Sequence, residues 1–373
     1  MFSTDYSPFR TQAAPISRIP SKRLLLLLFA AALAGSDSTA LASPTITNVT
    51  AAQRPDQSRL VDITYDLAAT GPCTVWFVVS SDGGTSWNIP AMTHTGAIGP
   101  NVSPGAAKTI VWDAGADIPG KAGSFKVRVF ADDGLGTNMV LVPGGTFPYQ
   151  NNVASQVYVG PFLIDKYEVT NQRYCEFLNS ADQNGDHYDA SMEITRNGTP
   201  PAVTYAVYIG KQSYPIRWVS VLDAEAFAAW LSVRDSRTYR LPTEQEWEKA
   251  AAWDSVQNIY WTYCFQSNTI DCTRTNYFYN PTYCIGNTSE VGHYNGTNGT
   301  VDSQSFFGCY DMSGNVGEWT SSDYQQTCVP NCRVVRGGMW LSYSSQCYSA
   351  SRESALPGSR THYWGFRLVM DPN

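Results

Sequence analysis

The chain has 373 residues, 43% of them hydrophobic, and carries 25 Lys and Arg against 32 Asp and Glu for a net charge of −7. This composition excludes a disordered or collagen-like chain, and an acidic balance without a basic stripe excludes nucleic-acid binding driven by phosphate neutralisation. Charged residues are only 15% while aromatics reach 13%, so the surface must be built largely from uncharged polar and aromatic groups of the kind that bind ligands.

At the N-terminus, Lys22 and Arg23 precede an apolar run from Leu24 to Gly35, and Ala40-Leu41-Ala42 supplies a small-residue cleavage site. Charged, apolar and small segments in that order predict a secretory signal peptide over 1–42. Its apolar core is shorter than the ~20 residues a membrane-spanning helix needs. The expectation is an extracytoplasmic protein, secreted or periplasmic, with no membrane span.

All nine cysteines lie downstream of that segment, where an oxidising compartment favours disulfides. Cys264, Cys272 and Cys284 cluster in one loop-rich stretch and Cys328 and Cys332 flank a turn, which predicts local staples; the odd count leaves at least one thiol without a partner in the chain. Zinc is disfavoured, because there is no C-x-x-C and His94, His187, His293 and His362 are scattered.

Between 43 and 135 the pattern has period two: Val61, Ile63, Tyr65, Leu67; Val75, Phe77, Val79; Ile110, Trp112; Phe125, Val127, Val129. Such runs between Gly, Pro and Asp turns predict a small all-β sandwich domain. Ser80 to Trp87 fits the S-x-D-x-G-x-x-W pattern of a propeller Asp-box, but one copy makes no propeller and reads as a Gly-Gly hairpin under Trp87.

Past the composition shift at Ala131–Gly136, helical signals begin. Thr170 caps a helix running through Leu178, and Phe227, Trp230 and Leu231 recur at helical spacing. Thr243-x-x-Glu246 is a capping box opening a helix with Trp247, Ala250 and Ala251 as its buried stripe. Three helices among short strands, including Arg333–Arg336 and Gly365–Val369, describe an α+β domain over 136–373. Asp182, Asn184, Asp186 and Glu193 mimic a calcium loop, yet His187 stands where its sharp turn requires Gly, so this is a turn-rich surface loop.

Six motifs in this domain, in order, carry a resemblance: Met139–Phe147 (MVLVPGGTF), Tyr167–Asn171 (YEVTN), Arg240–Glu248 (RLPTEQEWE), Tyr310–Trp319 (YDMSGNVGEW), Arg336-Gly337-Gly338 and Gly365-Phe366-Arg367. Together they are similar to the formylglycine-generating enzyme (sulfatase-modifying factor) family. The resemblance implies a variant of the C-type lectin fold, and the preceding segment resembles the fibronectin-like sandwich placed before this domain in exported bacterial members.

Asp311 and Glu318 bracket a Gly-rich turn that can offer carboxylate and backbone oxygens to one hard cation. The resemblance assigns Ca²⁺ to Asp311 and Glu318 through side chains and to Gly314 and Val316 through carbonyls, and implies a second site at Asn276 and the Tyr277 carbonyl. It also implies oxidation of a substrate cysteine to formylglycine by O₂ at a copper(I) ion held between two thiolates, soft ligands that suit Cu(I). Cys347 falls on the second thiolate, Ser342 stands in place of the first, and Met339 stands in place of an active-site serine.

A serine hydroxyl is a hard, protonated, poor ligand for Cu(I). Three readings follow. The first is a non-oxidase member binding a peptide, glycan or protein ligand on the aromatic and Ser-rich face from Met339 to Trp364. The second is an active oxidase that recruits another cysteine, such as Cys309 or Cys328, beside Cys347. The third is a structural envelope protein.

Overall fold

The computed structural model describes residues 44–84, 87, 89, 91–121, 123–132, 138–324 and 331–370. The signal-peptide segment 1–42 and Cys328 lie outside the described residues.

The N-terminal part of the described chain, residues 45–132, folds as two antiparallel sheets. One has the order Thr45–Gln53, Leu60–Ala68, Gly105–Asp113, His94–Gly96; the other has Cys73–Ser80 between Gly99–Val102 and Lys126–Asp132. Their facing sides bury Ile63, Tyr65, Val75, Phe77, Val79, Ile110 and Trp112, the residues set by the period-two alternation. The Trp112 Nε1–H finds Asp117 at 2.8 Å, so the indole is buried without an unmet donor. Cys73–Ser80 is apolar on both faces for a reason: Trp76 and Val78 point away from that core into a second one shared with Leu163, Tyr239 and Met370.

That second core belongs to a mostly β region with few helices. Four strands, Tyr239–Arg240, Val369–Met370, Phe162–Asp165 and Met139–Val142, form one sheet. A second sheet runs Arg352–Ala355, Arg333–Arg336, Gly317–Asp323, Trp364–Gly365, its last pair parallel. The expected strand at Gly365–Val369 is two short ones, because Phe366 and Leu368 turn their carbonyls to the Val169 and Asp165 amides.

The three helices span Asn171–Ala181, Val221–Asp235 and Glu244–Ala252. Each starts on a side-chain cap: Thr170 accepts from the Arg173 amide, and Ser220 with Asp223 and Thr243 with Glu246 close full capping boxes. Asp182 caps its own loop, its carboxylate accepting from the amides of Gly185, Asp186 and His187, and Glu193 pairs with Lys211 and Arg217. The calcium-loop mimic is therefore an internally bonded turn.

Buried ion pairs tie the sheets to the Glu244–Ala252 helix and to neighbouring segments. Arg336 meets Glu248 and Arg367 meets Glu318, all four side chains fully buried. Arg240 grips Glu246 with two 2.7 Å bonds, and Arg352 holds Glu244.

Candidate functional site

The segment after Arg336 turns on two glycines in left-handed backbone, Gly337 at φ 92° and Gly338 at φ 70°. A Cβ on Gly338 would stand 2.8 Å from the Gln346 carbonyl and 3.0 Å from the Cys347 sulfur, so only glycine lets the chain fold back on itself here. The fold-back brings Met339, Ser342 and Cys347 together.

What it brings together is closed. Ser342 is 3% exposed; its hydroxyl accepts from the Met339 amide at 3.1 Å, and its own amide donates to the Met339 carbonyl at 2.8 Å. The Ser342 carbonyl accepts from the Phe278 amide at 2.9 Å. The hydroxyl and amide of Ser342 thus build the turn, and its carbonyl ties the turn to the Phe278 strand. Cys347 is 0% exposed, and burial pushes its thiol far above the ordinary range.

The thiol beside Cys347 is Cys264, not Cys309. Ser313 Oγ accepts from the Cys264 amide at 3.1 Å and donates to the Cys347 carbonyl at 2.9 Å. Cys264 donates its own thiol to the Met312 carbonyl at 3.0 Å, and burial pushes it up to about 11. Cys309 packs with Phe147, Ile164 and Trp247, in the core cluster that Cys264 also joins, while Cys347 packs with Tyr263, Phe265 and Tyr277. The expected staple among Cys264, Cys272 and Cys284 is Cys272–Cys284. Cys332 is also disulfide-bonded.

On the proposed cation site, Asp311 sits in left-handed backbone (φ 60°) and accepts from the Gly292 amide at 2.5 Å. Gly314 approaches so closely that a Cβ would lie 2.3 Å from the Asn276 carbonyl. Glu318 has both oxygens engaged: Arg367 grips them at 2.7 Å each and Trp247 Nε1–H adds a 2.7 Å bond. Val316 is buried in the same turn. Tyr277, on the second implied site, spends its carbonyl on the Cys284 amide.

A residue that motif reading left unassigned, Glu168, joins this cluster. Its Oε1 accepts from Asn315 Nδ2 at 2.9 Å, while Oε2 is buried without a partner. Asn276, whose carbonyl accepts from the Asn315 amide, likewise has an unpartnered buried Oδ1. Burial, then the Asp311 carboxylate, pushes the Glu168 carboxyl up; Asp311 rises to about 6 through burial. Three carboxylates thus lean on one guanidinium, Arg367. Glu168 was detectable only as the acid inside the YEVTN motif. Among the described residues no three His, Cys, Asp or Glu side chains converge as a metal site.

The family described as a sulfatase-modifying factor enzyme 1-like domain matches residues 128–372. An inactive C-alpha-formylglycine-generating enzyme 2 of Bos taurus is 30% identical over 282 residues, 64% of this chain and 89% of its own length. A formylglycine-generating enzyme of Thermomonospora curvata is 27% identical over 299 residues, 64% of this chain and 95% of its own. The crystal structure of CarF superposes with a TM-score of 0.50 at 22% identity, covering 63% of this chain and 98% of that one; this likeness concerns the fold alone.

Proposed function

We propose that this chain, which belongs to the sulfatase-modifying factor family, is a non-oxidase member that binds a ligand on the face from Met339 to Trp364. The observation that carries it is Ser342: its hydroxyl is bonded to the Met339 amide inside a closed turn. Relatives named inactive and active match at similar identity, so the site residues decide.

The residues do not fit a copper(I) pair. The metal prefers thiolates; Ser342 offers only a hydroxyl, already bonded to the Met339 amide, and Cys347 is fully buried. Titration of the reduced chain with Cu(I) should show no tight site, and a sulfatase-type cysteine peptide should not be oxidised under O₂. Wild-type turnover, lost on Cys347→Ser, would overturn the proposal and point to Cys264 as the second ligand. Iodoacetamide at pH 8 should leave Cys264 and Cys347 unmodified in the native chain and label both after unfolding, because each thiol lies above its ordinary value. Rapid native labelling of Cys347 would contradict a closed site.

Calcium is proposed as a structural ion. One ion would take Asp311 and Glu318 with the carbonyls of Gly314 and Val316, a second Asn276 with the Tyr277 carbonyl; what supports them is a buried, unpartnered oxygen on Asn276 and another on Glu168, whose carboxyl neighbours Asp311. Glu318 could join only by giving up part of its grip on Arg367. At 100-fold Kd a native-state ligand adds about 2.7 kcal/mol. A melting temperature indifferent to chelator would remove calcium from the account. Export after cleavage near Ala42, and a fibronectin-like sandwich over 43–135 ahead of the 136–373 domain, complete the proposal; mass spectrometry of the native N-terminus tests the cleavage.

A further inference from the structure

Segments 276–285 and 339–348 hold seven aromatic residues and not one Asp, Glu, Lys or Arg. They form one surface. The Phe278 amide donates to the Ser342 carbonyl, and the Phe278 ring packs 4.8 Å from Tyr283 and 5.1 Å from Tyr343; Tyr283 in turn lies 5.8 Å from Trp340. The hairpin that presents Tyr279 and Tyr283 pairs Phe278–Tyr279 with Thr282–Tyr283, and the Cys272–Cys284 disulfide closes its base.

These rings are positioned in advance, yet they stay in water. Tyr279 is 55% exposed, Tyr283 48% and Tyr343 54%. The phenol hydroxyls of Tyr279 and Tyr283 make no hydrogen bond among the described residues. Aromatic surface normally leaves water during folding, so a locked array of half-exposed rings with open hydroxyls is a surface kept for a ligand.

We infer that this array is a platform for a neutral carbohydrate, an assignment that rests on the ligand-binding reading above and names its ligand class. A sugar ring offers C–H bonds on one face and hydroxyls around its edge. The first stacks on a tyrosine face, and the second bonds to the phenol at the ring's end. An ionic ligand would find no counter-charge in either segment and would lose hydration without compensation. A neutral, hydroxyl-rich ligand therefore suits these two segments better than a strongly charged one. Three of the most exposed rings carry a hydroxyl, which suits a hydroxyl-rich ligand better than the purely apolar side chains of a protein interface core.

The test titrates the full, oxidised chain with neutral hexasaccharides of glucose, mannose and N-acetylglucosamine, and with uncharged peptides, following Trp fluorescence and heat. At least one hexasaccharide should bind saturably with Kd at or below about 1 mM. Tyr283→Ala and Tyr343→Ala should each weaken it about tenfold without moving the melting temperature. Cys284→Ser, which frees the hairpin, should weaken it as well. Absence of binding by all three sugars, or binding untouched by both alanine variants, overturns the assignment. Peptide binding lost in Tyr283→Ala also overturns it while leaving the ligand-binding reading intact; copper-dependent oxidation of a cysteine peptide would instead sink that reading.

Discussion

Two regions that meet at Gly338 invert the usual placement of charge. On one side, Arg336, Glu248, Arg367 and Glu318 are fully buried as ion pairs. On the other, the hairpin and the turn from 339 to 348 carry rings into solvent with no charged side chain at all. Burying charge is costly unless each group is paired and hydrogen-bonded; all four are ion-paired, although the Arg336 Nε–H finds no acceptor. The Arg367 Nη1–H donates to the Asp165 and Lys166 carbonyls, and Arg336 adds a 2.7 Å bond to the Ser349 carbonyl. The buried pairs fix where the strands sit; the uncharged face is what those strands display. The difference separates residues that hold the fold from residues free to define a ligand.

The largest effect should come from breaking a buried pair. Arg367→Met strands Glu318 as an uncompensated carboxylate and should cost about 3–5 kcal/mol in urea unfolding. Adding Glu318→Gln, which keeps an acceptor for Trp247 Nε1, should return a large part of that loss. If the single variant were nearly neutral, the pairs would not be the scaffold.

Next in size is Gly338→Ala. The added methyl meets the Gln346 carbonyl in left-handed backbone, and the expected cost is about 1–3 kcal/mol, read as a lowered denaturation midpoint. Thr243→Ala follows at about 1 kcal/mol, because it removes the acceptor for the Glu246 amide while Arg240 still holds Glu246.

The sequence made some of this plain and hid the rest for physical reasons. The Thr243–Glu246 box is legible because a cap is a contact three residues long. The alternation from Val61 to Leu67 is legible because one strand face is buried. The Thr45–Gln53 strand is not: it runs along a sheet edge with nearly every side chain exposed, so no pattern marks it. The Asp311–Glu318 turn is legible as a local motif, but the ion pair of Glu318 with Arg367, 49 positions away, is not. For the neighbour of Cys347 the sequence offers Cys309 or Cys328, the latter outside the described residues. Cys264 takes that place through Ser313, a contact that only tertiary packing creates.

The smallest effect on stability is expected where the largest effect on binding is. Tyr343 is 54% exposed and packs mainly on Phe278, itself only partly buried, so Tyr343→Ala should change unfolding free energy by no more than about 0.5 kcal/mol. Ser342→Ala beside it should behave oppositely. It deletes the acceptor of the Met339 amide in a buried turn, and a buried donor left unmet costs about 1–3 kcal/mol. Adjacent positions would then divide cleanly, one supporting the turn and one displayed by it. Were Tyr343→Ala as damaging to stability as Ser342→Ala, the exposed rings would be load carried by the fold itself, and the contrast between a charged interior and an uncharged binding face would lose its functional meaning.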